Sequence, residues 1–126
     1  MKVWLGGNID KSIYDEYRVI RNELEKRINL LFEKINYDSE IKSLDITFII
    51  RDDINDNSFK YSKRTKESDI EFNILLKDFL ILSKLEKVNF LVKSIIYSLN
   101  MIIEKYHLNV PLLEVELKKE FNLWMN

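Results

Sequence analysis

The sequence predicts an α+β fold of one domain over residues 1–126, a two-layer sandwich with a mainly antiparallel four-stranded sheet and helices packed on one face. Three runs of alternating apolar and polar residues between 44 and 76 predict three of the strands. Two long stretches with apolar residues at steps of three and four predict helices on either side of them. The predicted order is β-α-β-β-β-α-α, which is typical of helices gathered on a single sheet face.

The composition is that of a folded globule with balanced charge. The chain has 126 residues, of which 46% are apolar, and a net charge of −1 from 20 basic and 21 acidic residues. This balance indicates no polyanionic partner, so electrostatic recognition has to come from local patches. The absence of cysteine excludes disulfides, thiolate metal sites and a cysteine nucleophile. We expect no secretory signal and no membrane span, because no run of about 20 uncharged apolar residues occurs.

The chain begins with a predicted strand over residues 3–9, followed by a helix over residues 11–36. The Gly6-Gly7 pair indicates a bulge or turn, because paired glycines tolerate positive φ. Asp10 is positioned to cap the helix, which has one apolar stripe. The stripe consists of Ile13, Tyr17, Ile20, Leu24, Ile28, Leu31 and Ile35.

The middle of the chain contains the candidate binding residues. The first of the three strands ends at Arg51, and a turn-rich loop with Asp52, Asp53 and Asp56 follows. A calcium loop is not favoured, because the required central Gly and final Glu are missing. The basic stretch 60–66 indicates either a contact surface for phosphate or an acidic protein, or a charged edge strand that prevents aggregation.

The last third of the chain predicts two helices. Ser83 and Glu86 form a capping box before a helix over residues 84–106, and residues 77–82 link it to the sheet. Pro111 suits the first turn of a short C-terminal helix. The apolar stripe of that helix would consist of Leu113, Leu117, Phe121 and Trp124.

The outward side of the predicted sheet carries a second candidate surface. By strand alternation, Trp4, Ile49 and Leu75 point away from the helices. Such a patch suits a protein interface, although the C-terminal segment could equally cover it.

No motif in the sequence indicates catalysis, a cofactor or a metal site. His107 is the one histidine, and neither a GxSxG elbow nor a phosphate-binding GK[ST] loop occurs. A carboxylate dyad such as Asp45 with Glu71 on adjacent strands is a weaker option, as is a small hydrolase that collects acids near His107.

Several motifs, taken in order, resemble a family of small bacterial immunity proteins encoded beside polymorphic toxins, including contact-dependent growth inhibition systems. The similarity covers about residues 3 to 105. The motifs are Val3-Trp4-Leu5-Gly6-Gly7, Asp15-Glu16-Tyr17-Arg18, Ile20-Arg21-Asn22, Ile49-Ile50-Arg51-Asp52-Asp53, Lys60-Tyr61-Ser62-Lys63 and Asp69-Ile70-Glu71-Phe72.

The resemblance implies a cytoplasmic, non-enzymatic inhibitor that binds the C-terminal domain of a cognate toxin, for which a nuclease is one candidate. We expect a monomer in a 1:1 complex, without a cofactor, a membrane or direct nucleic-acid contact. The alternative is a nucleic-acid-binding or regulatory module that uses residues 60–66, with Tyr61 stacking on a base. The predicted toxin-binding residues come from one loop and the strand beside it: Asp52, Asp53, Asp56, Lys60, Tyr61, Lys63 and Arg64.

Overall fold

In the part of the chain that the structure describes, the fold is a four-stranded sheet with two long helices on one of its faces. A computed structural model describes residues 2–34, 42–64 and 67–105. The elements in chain order are β1 (Lys2–Ile9), a 3-10 turn (Lys11–Ile13), α1 (Tyr14–Lys34), β2 (Ser43–Arg51), β3 (Ser58–Arg64), β4 (Glu67–Leu75), α2 (Leu76–Leu80) and α3 (Lys84–Lys105).

The sheet is mixed and mostly parallel, so the prediction of a mainly antiparallel sheet was wrong. The strand order is β1-β2-β4-β3, in which β1 and β4 both run parallel to β2 and only β3 and β4 are antiparallel. Two parallel neighbours need a crossover that returns the chain to the same end of the sheet, and α1 provides this between β1 and β2. The second parallel pair is β2 with β4. It forms because β3 lies at the far edge of the sheet, so that β4 is the neighbour of β2.

The predicted element order needs a further correction after β4. Residues 77–82, predicted as a link, contain most of α2, which follows β4 directly. Asn57 stabilises this junction, since its Oδ1 accepts from the Leu75 N–H at 2.7 Å and its Nδ2 donates to Asp78 at 3.2 Å. The predicted C-terminal helix with Leu113, Leu117, Phe121 and Trp124 lies outside the described residues, as does His107.

The core lies between the sheet and the two long helices. The alternate β2 residues Leu44, Ile46, Phe48 and Ile50 are fully buried. Tyr17 of α1 meets the Phe48 ring edge-on at 6.2 Å between centroids, so α1 lies on this face. The α1 stripe predicted from the sequence is buried at Ile13, Tyr17, Ile20, Leu24, Ile28 and Leu31.

The helix α3 covers the same face of the sheet beside α1. Val88, Val92, Ile95, Leu99 and Ile102 are buried as their spacing predicts. A nearly buried lysine joins the two helices, because Lys87 Nζ lies 3.2 Å from Glu16 Oε2 and 5.6 Å from the Phe79 ring centroid. None of the described helices combines the length and apolar character needed to cross a membrane.

Both predicted caps form hydrogen bonds, although Asp10 caps the 3-10 turn that leads into α1 and not α1 itself. Asp10 Oδ1 accepts hydrogen bonds from the Ser12 N–H at 2.9 Å and the Ser12 hydroxyl at 2.7 Å, and these bonds lower the pKa of Asp10. Glu86 N–H donates to Ser83 Oγ at 3.2 Å, while the Ser83 N–H donates to Glu86 Oε1 at 3.0 Å. The capping box therefore starts α3 where the sequence predicts it.

Candidate functional site

The candidate site is the side of the sheet that faces away from α1 and α3. Inward residues of β2 such as Ile46 are fully buried, whereas the intervening Asp45 and Thr47 are only half-buried. Paired residues on neighbouring strands share a face, so the strand register extends this surface across the whole sheet. We call this surface the outer face and define it by Trp4, Gly6, Asp45, Thr47, Lys60, Ser62, Asp69 and Glu71.

The outer face consists of two rows of paired residues that cross all four strands. The first row runs from an aromatic residue through two carboxylates to a hydroxyl, and the second runs from a glycine through Thr47 and Glu71 to a lysine. The two carboxylates of the first row lie directly opposite each other on adjacent strands, and like charges in this position repel. The rows are Trp4–Asp45–Asp69–Ser62 and Gly6–Thr47–Glu71–Lys60.

The outer face is concave. It contains a cavity of about 790 Å³ that opens to solvent and is lined by the two rows, by Leu5 and Ile70, and by Arg21 and Glu25 of α1. Gly6 helps to keep the cavity open, since it contributes no side chain. A β-carbon at this position would lie 3.4 Å from Thr47 Oγ1, which is ordinary contact.

Side chains of α1 hold the edge of β1 that pairs with no other strand in the part of the chain that the structure describes. Asn29 Oδ1 accepts from the Val3 N–H at 2.9 Å, and Asn29 Nδ2 donates to the Val3 carbonyl at 2.8 Å. Glu25 Oε2 accepts from the Leu5 N–H at 2.8 Å, and Arg21 donates to the Leu5 carbonyl at 3.2 Å. These bonds satisfy backbone groups that an edge strand otherwise exposes, and they fix Arg21 and Glu25 at the border of the outer face.

Tyr17 extends this arrangement to the next residue of β1. Its hydroxyl donates to the Gly6 carbonyl at 2.7 Å, and its ring is buried against Phe48. Burial raises the pKa of Tyr17 above its usual range; the charge of Arg21 lowers it slightly, and that of Glu25 adds to the rise. The phenol is therefore a neutral, fixed donor beneath the start of the outer face.

The charges that line the cavity are mostly negative. Four carboxylates and two cationic side chains contribute to the lining. Of these, Arg21 and Glu25 are both hydrogen-bonded to Leu5, and Arg21 also donates to Asn22 Oδ1 at 2.8 Å. Among the described lining residues that stand on strands, Asp45, Asp69 and Glu71 are the carboxylates and Lys60 is the cation.

Trp4 gives one end of the first row an apolar surface. Its side chain is half-exposed, and the ammonium of Lys2 lies 5.0 Å from the ring centroid. The predicted patch of Trp4, Ile49 and Leu75 is not contiguous, because Ile49 lies opposite Asn73, four residues beyond the row of Trp4. At about 3.3 Å per residue this is a separation of roughly 13 Å along the strands.

The residues predicted from the sequence to bind a toxin are only partly brought together. Asp52, Asp53 and Asp56 are exposed in the loop that joins β2 to β3. Arg51 Nε donates to Asp53 Oδ1 at 2.9 Å, and this hydrogen bond lowers the pKa of Asp53. Because β2 ends at Arg51 and β3 begins at Ser58, these three aspartates lie beyond the strand ends and outside the two rows.

The predicted residues on β3 divide between the two sides of the sheet. Lys60 belongs to the outer face, whereas Tyr61 packs against the core with its hydroxyl 3.5 Å from Ser68 Oγ. The backbones of Lys63 and Arg64 lie in β3, but their side chains lie outside what the structure describes.

Asp45 and Glu71, the two carboxylates considered from the sequence as a dyad, stand on adjacent strands of the outer face but not directly opposite each other. Asp45 is opposite Asp69, while Glu71 is opposite Thr47 and Lys60. Within residues 2–34, 42–64 and 67–105, no three His, Cys, Asp or Glu side chains are grouped closely enough to hold a metal ion.

The sequence alone did not predict that the residues of the first row lie next to one another. The alternation of β2 and β4 does direct Asp45, Asp69 and Glu71 outward, so the signal for their direction is present. Their adjacency depends on the parallel pairing of β2 with β4, for which the sequence carries no local signal.

One comparison with known proteins gives a match. The family model described as Immunity protein 44 matches residues 1–126. Comparisons with curated proteins and with solved structures give no match.

Proposed function

This chain belongs to the Immunity protein 44 family, and from that premise we propose that it binds and neutralises a cognate toxin domain of a bacterial polymorphic toxin system. The observation that carries the proposal is the family match over all 126 residues. The open outer face supports it, because a concave surface with an exposed tryptophan suits recognition of another protein.

We further propose that the chain acts by binding alone, as a monomer in a 1:1 complex. The sequence offers no nucleophile–base motif, and the carboxylates of the outer face are arranged in rows and not around a common point. The complex would block the toxin's active site or the approach of its substrate. We propose the cytoplasm as the compartment, since a chain without cysteine suits reducing conditions.

The alternative of a nucleic-acid-binding module gains no support from the geometry. Its proposed stacking residue, Tyr61, packs against the core, so its ring is turned away from the outer face. Lys60 lies opposite Glu71, whose charge opposes the approach of a phosphate.

Growth protection in a bacterial host tests the proposed function. The probe is the C-terminal domain of the toxin encoded next to the gene for this chain, expressed with or without the chain. We expect growth arrest by the toxin domain alone, restored growth with the chain, and co-purification of the two proteins in equal amounts. Continued arrest in the presence of the folded chain, without co-purification, would contradict the proposal, and a toxin domain from an unrelated system serves as the control.

A further inference from the structure

We propose that the outer face is the surface that contacts the toxin, and that it receives a patch of lysine and arginine side chains on the toxin domain, with Trp4 as an anchor. This inference rests on the proposed function and adds to it the contact surface and the chemistry of the partner.

The first argument is the exposure of parallel strands. Strands in parallel pairs are usually covered on both faces, because the connections place helices on both sides. In this chain β2 is parallel to both of its neighbours, but α1 and α3 cover only its inner face. Among the described residues, nothing covers the outer rows, so this face offers a broad, regular surface to a partner.

The second argument is charge complementarity. Asp45 and Asp69 are neighbours in the first row, and Glu71 is two residues beyond Asp69 on the same face. A surface with this excess of carboxylates favours a partner that presents cationic side chains to it.

The third argument is the position of Trp4 at the end of the carboxylate row. Tryptophan is among the residues that most often dominate binding energy at protein interfaces. Its ring already lies 5.0 Å from the ammonium of Lys2, so it has a face suited to a cation. A guanidinium group of the partner can stack on this ring and reach Asp45, the next residue in the row.

The fourth argument is rigidity. The residues of both rows stand on strands, and β1 is fixed from its free edge by Asn29, Glu25 and Arg21. A surface that is already ordered loses little conformational entropy when it binds. In the β2–β3 loop at the end of the sheet, Asp53 is bonded by Arg51, whereas Asp52 and Asp56 are exposed outside the strands.

The experiment measures the dissociation constant for the neighbouring toxin C-terminal domain, in a catalytically inactive form, by calorimetry. The test variant is Asp45→Asn with Asp69→Asn, and the matched control is Asp52→Asn with Asp56→Asn, which removes the same charge from the loop. We expect the first variant to raise the dissociation constant by at least about tenfold and the control to change it by less than about threefold. Trp4→Ala should also raise it by at least about tenfold.

Salt dependence and folding complete the test. Binding by the natural chain should weaken as salt rises from about 0.05 to about 0.5 M, and this dependence should be smaller for the Asp45/Asp69 variant. Thermal unfolding should show that this variant is folded, since the changes from Asp to Asn keep the size and shape of both side chains.

The outcomes separate the two proposals. If the natural chain does not bind the toxin domain, the proposed function fails. If the natural chain binds and only the loop variant weakens the complex, the function stands and the outer face is overturned as the contact surface.

Discussion

At the scale of single residues, Gly7 shows how closely α1 packs on β1. A β-carbon on Gly7 would lie 2.7 Å from Cε1 of the buried Tyr17 and 2.9 Å from Cγ1 of Ile9. We expect Gly7→Ala to lower the free energy of unfolding by about 1–3 kcal/mol, because the Tyr17 ring has to shift. Gly6→Ala is the matched control, with an expected change within about 0.5 kcal/mol. Urea unfolding measures both, and equal losses would contradict the argument.

The bulge or turn predicted at the glycine pair is absent from the described structure of β1. The sequence favours a bulge or turn at Gly6-Gly7, but both residues lie inside β1 and neither has a positive φ. The glycine at position 7 is required by the space beside Tyr17, which is a tertiary contact. A local pattern of residues carries no information about such a contact.

Tyr17 gives the chain a pH-dependent stability in the alkaline range. Burial raises its pKa, so the phenol stays protonated in the folded chain while the unfolded chain ionises near pH 10. The unfolded state is therefore stabilised as pH rises above about 10, and the free energy of unfolding falls. We expect Tyr17→Phe to flatten this fall in urea unfolding between about pH 8 and 11.

The control for this prediction is Tyr14→Phe, because the Tyr14 side chain is half-exposed. This variant should keep the alkaline fall of the natural chain. At neutral pH, Tyr17→Phe should cost about 1 kcal/mol through loss of the hydrogen bond to Gly6. The assignment is wrong if the Tyr17 variant and the natural chain lose stability equally above pH 10.

At the scale of elements, α1 takes the place of a fifth strand beside β1. Asn29 bonds both the N–H and the carbonyl of Val3, as a neighbouring strand would. We expect Asn29→Ala to destabilise the fold by about 2 kcal/mol, because two backbone groups lose their partners. The Val3 amide should also exchange its hydrogen faster, as measured by nuclear magnetic resonance.

The matched control on the same helix is Asn22→Ala, since Asn22 is exposed and its Oδ1 accepts a hydrogen bond from the Arg21 side chain and not from the backbone of β1. Its effect on stability should stay within about 0.5 kcal/mol. Unchanged exchange at Val3 in the Asn29 variant would argue against the role of α1 as an edge cover.

Most elements were predictable, because their signals are local. Asp10 and the Ser83–Glu86 pair mark helix starts through their own hydrogen bonds, and alternation identifies the strands and their inward faces. Strand order was not predictable in this way. Alternation in β2 and β4 says which side chains are inward, but not that β4 lies between β2 and β3. That choice depends on the packing of the whole sheet.

At the scale of the whole molecule, the fold places its two kinds of surface on opposite sides. The inner face of the sheet is apolar and buried under α1 and α3, while the outer face is polar, concave and mostly acidic. The candidate site could be predicted only in part. The direction of Asp45 and Glu71 follows from sequence, whereas the row that joins Trp4, Asp45 and Asp69 follows from the register.

Carboxylate footprinting compares the two candidate contact surfaces in a single measurement. The free chain and its complex with the toxin domain are labelled with a carbodiimide and an amine, and the modified residues are identified by mass spectrometry. We predict that Asp45, Asp69 and Glu71 are labelled in the free chain and protected in the complex, while Asp52 and Asp56 react equally in both. Protection confined to Asp52 and Asp56, or outer-face carboxylates already unreactive in the free chain, would contradict the account.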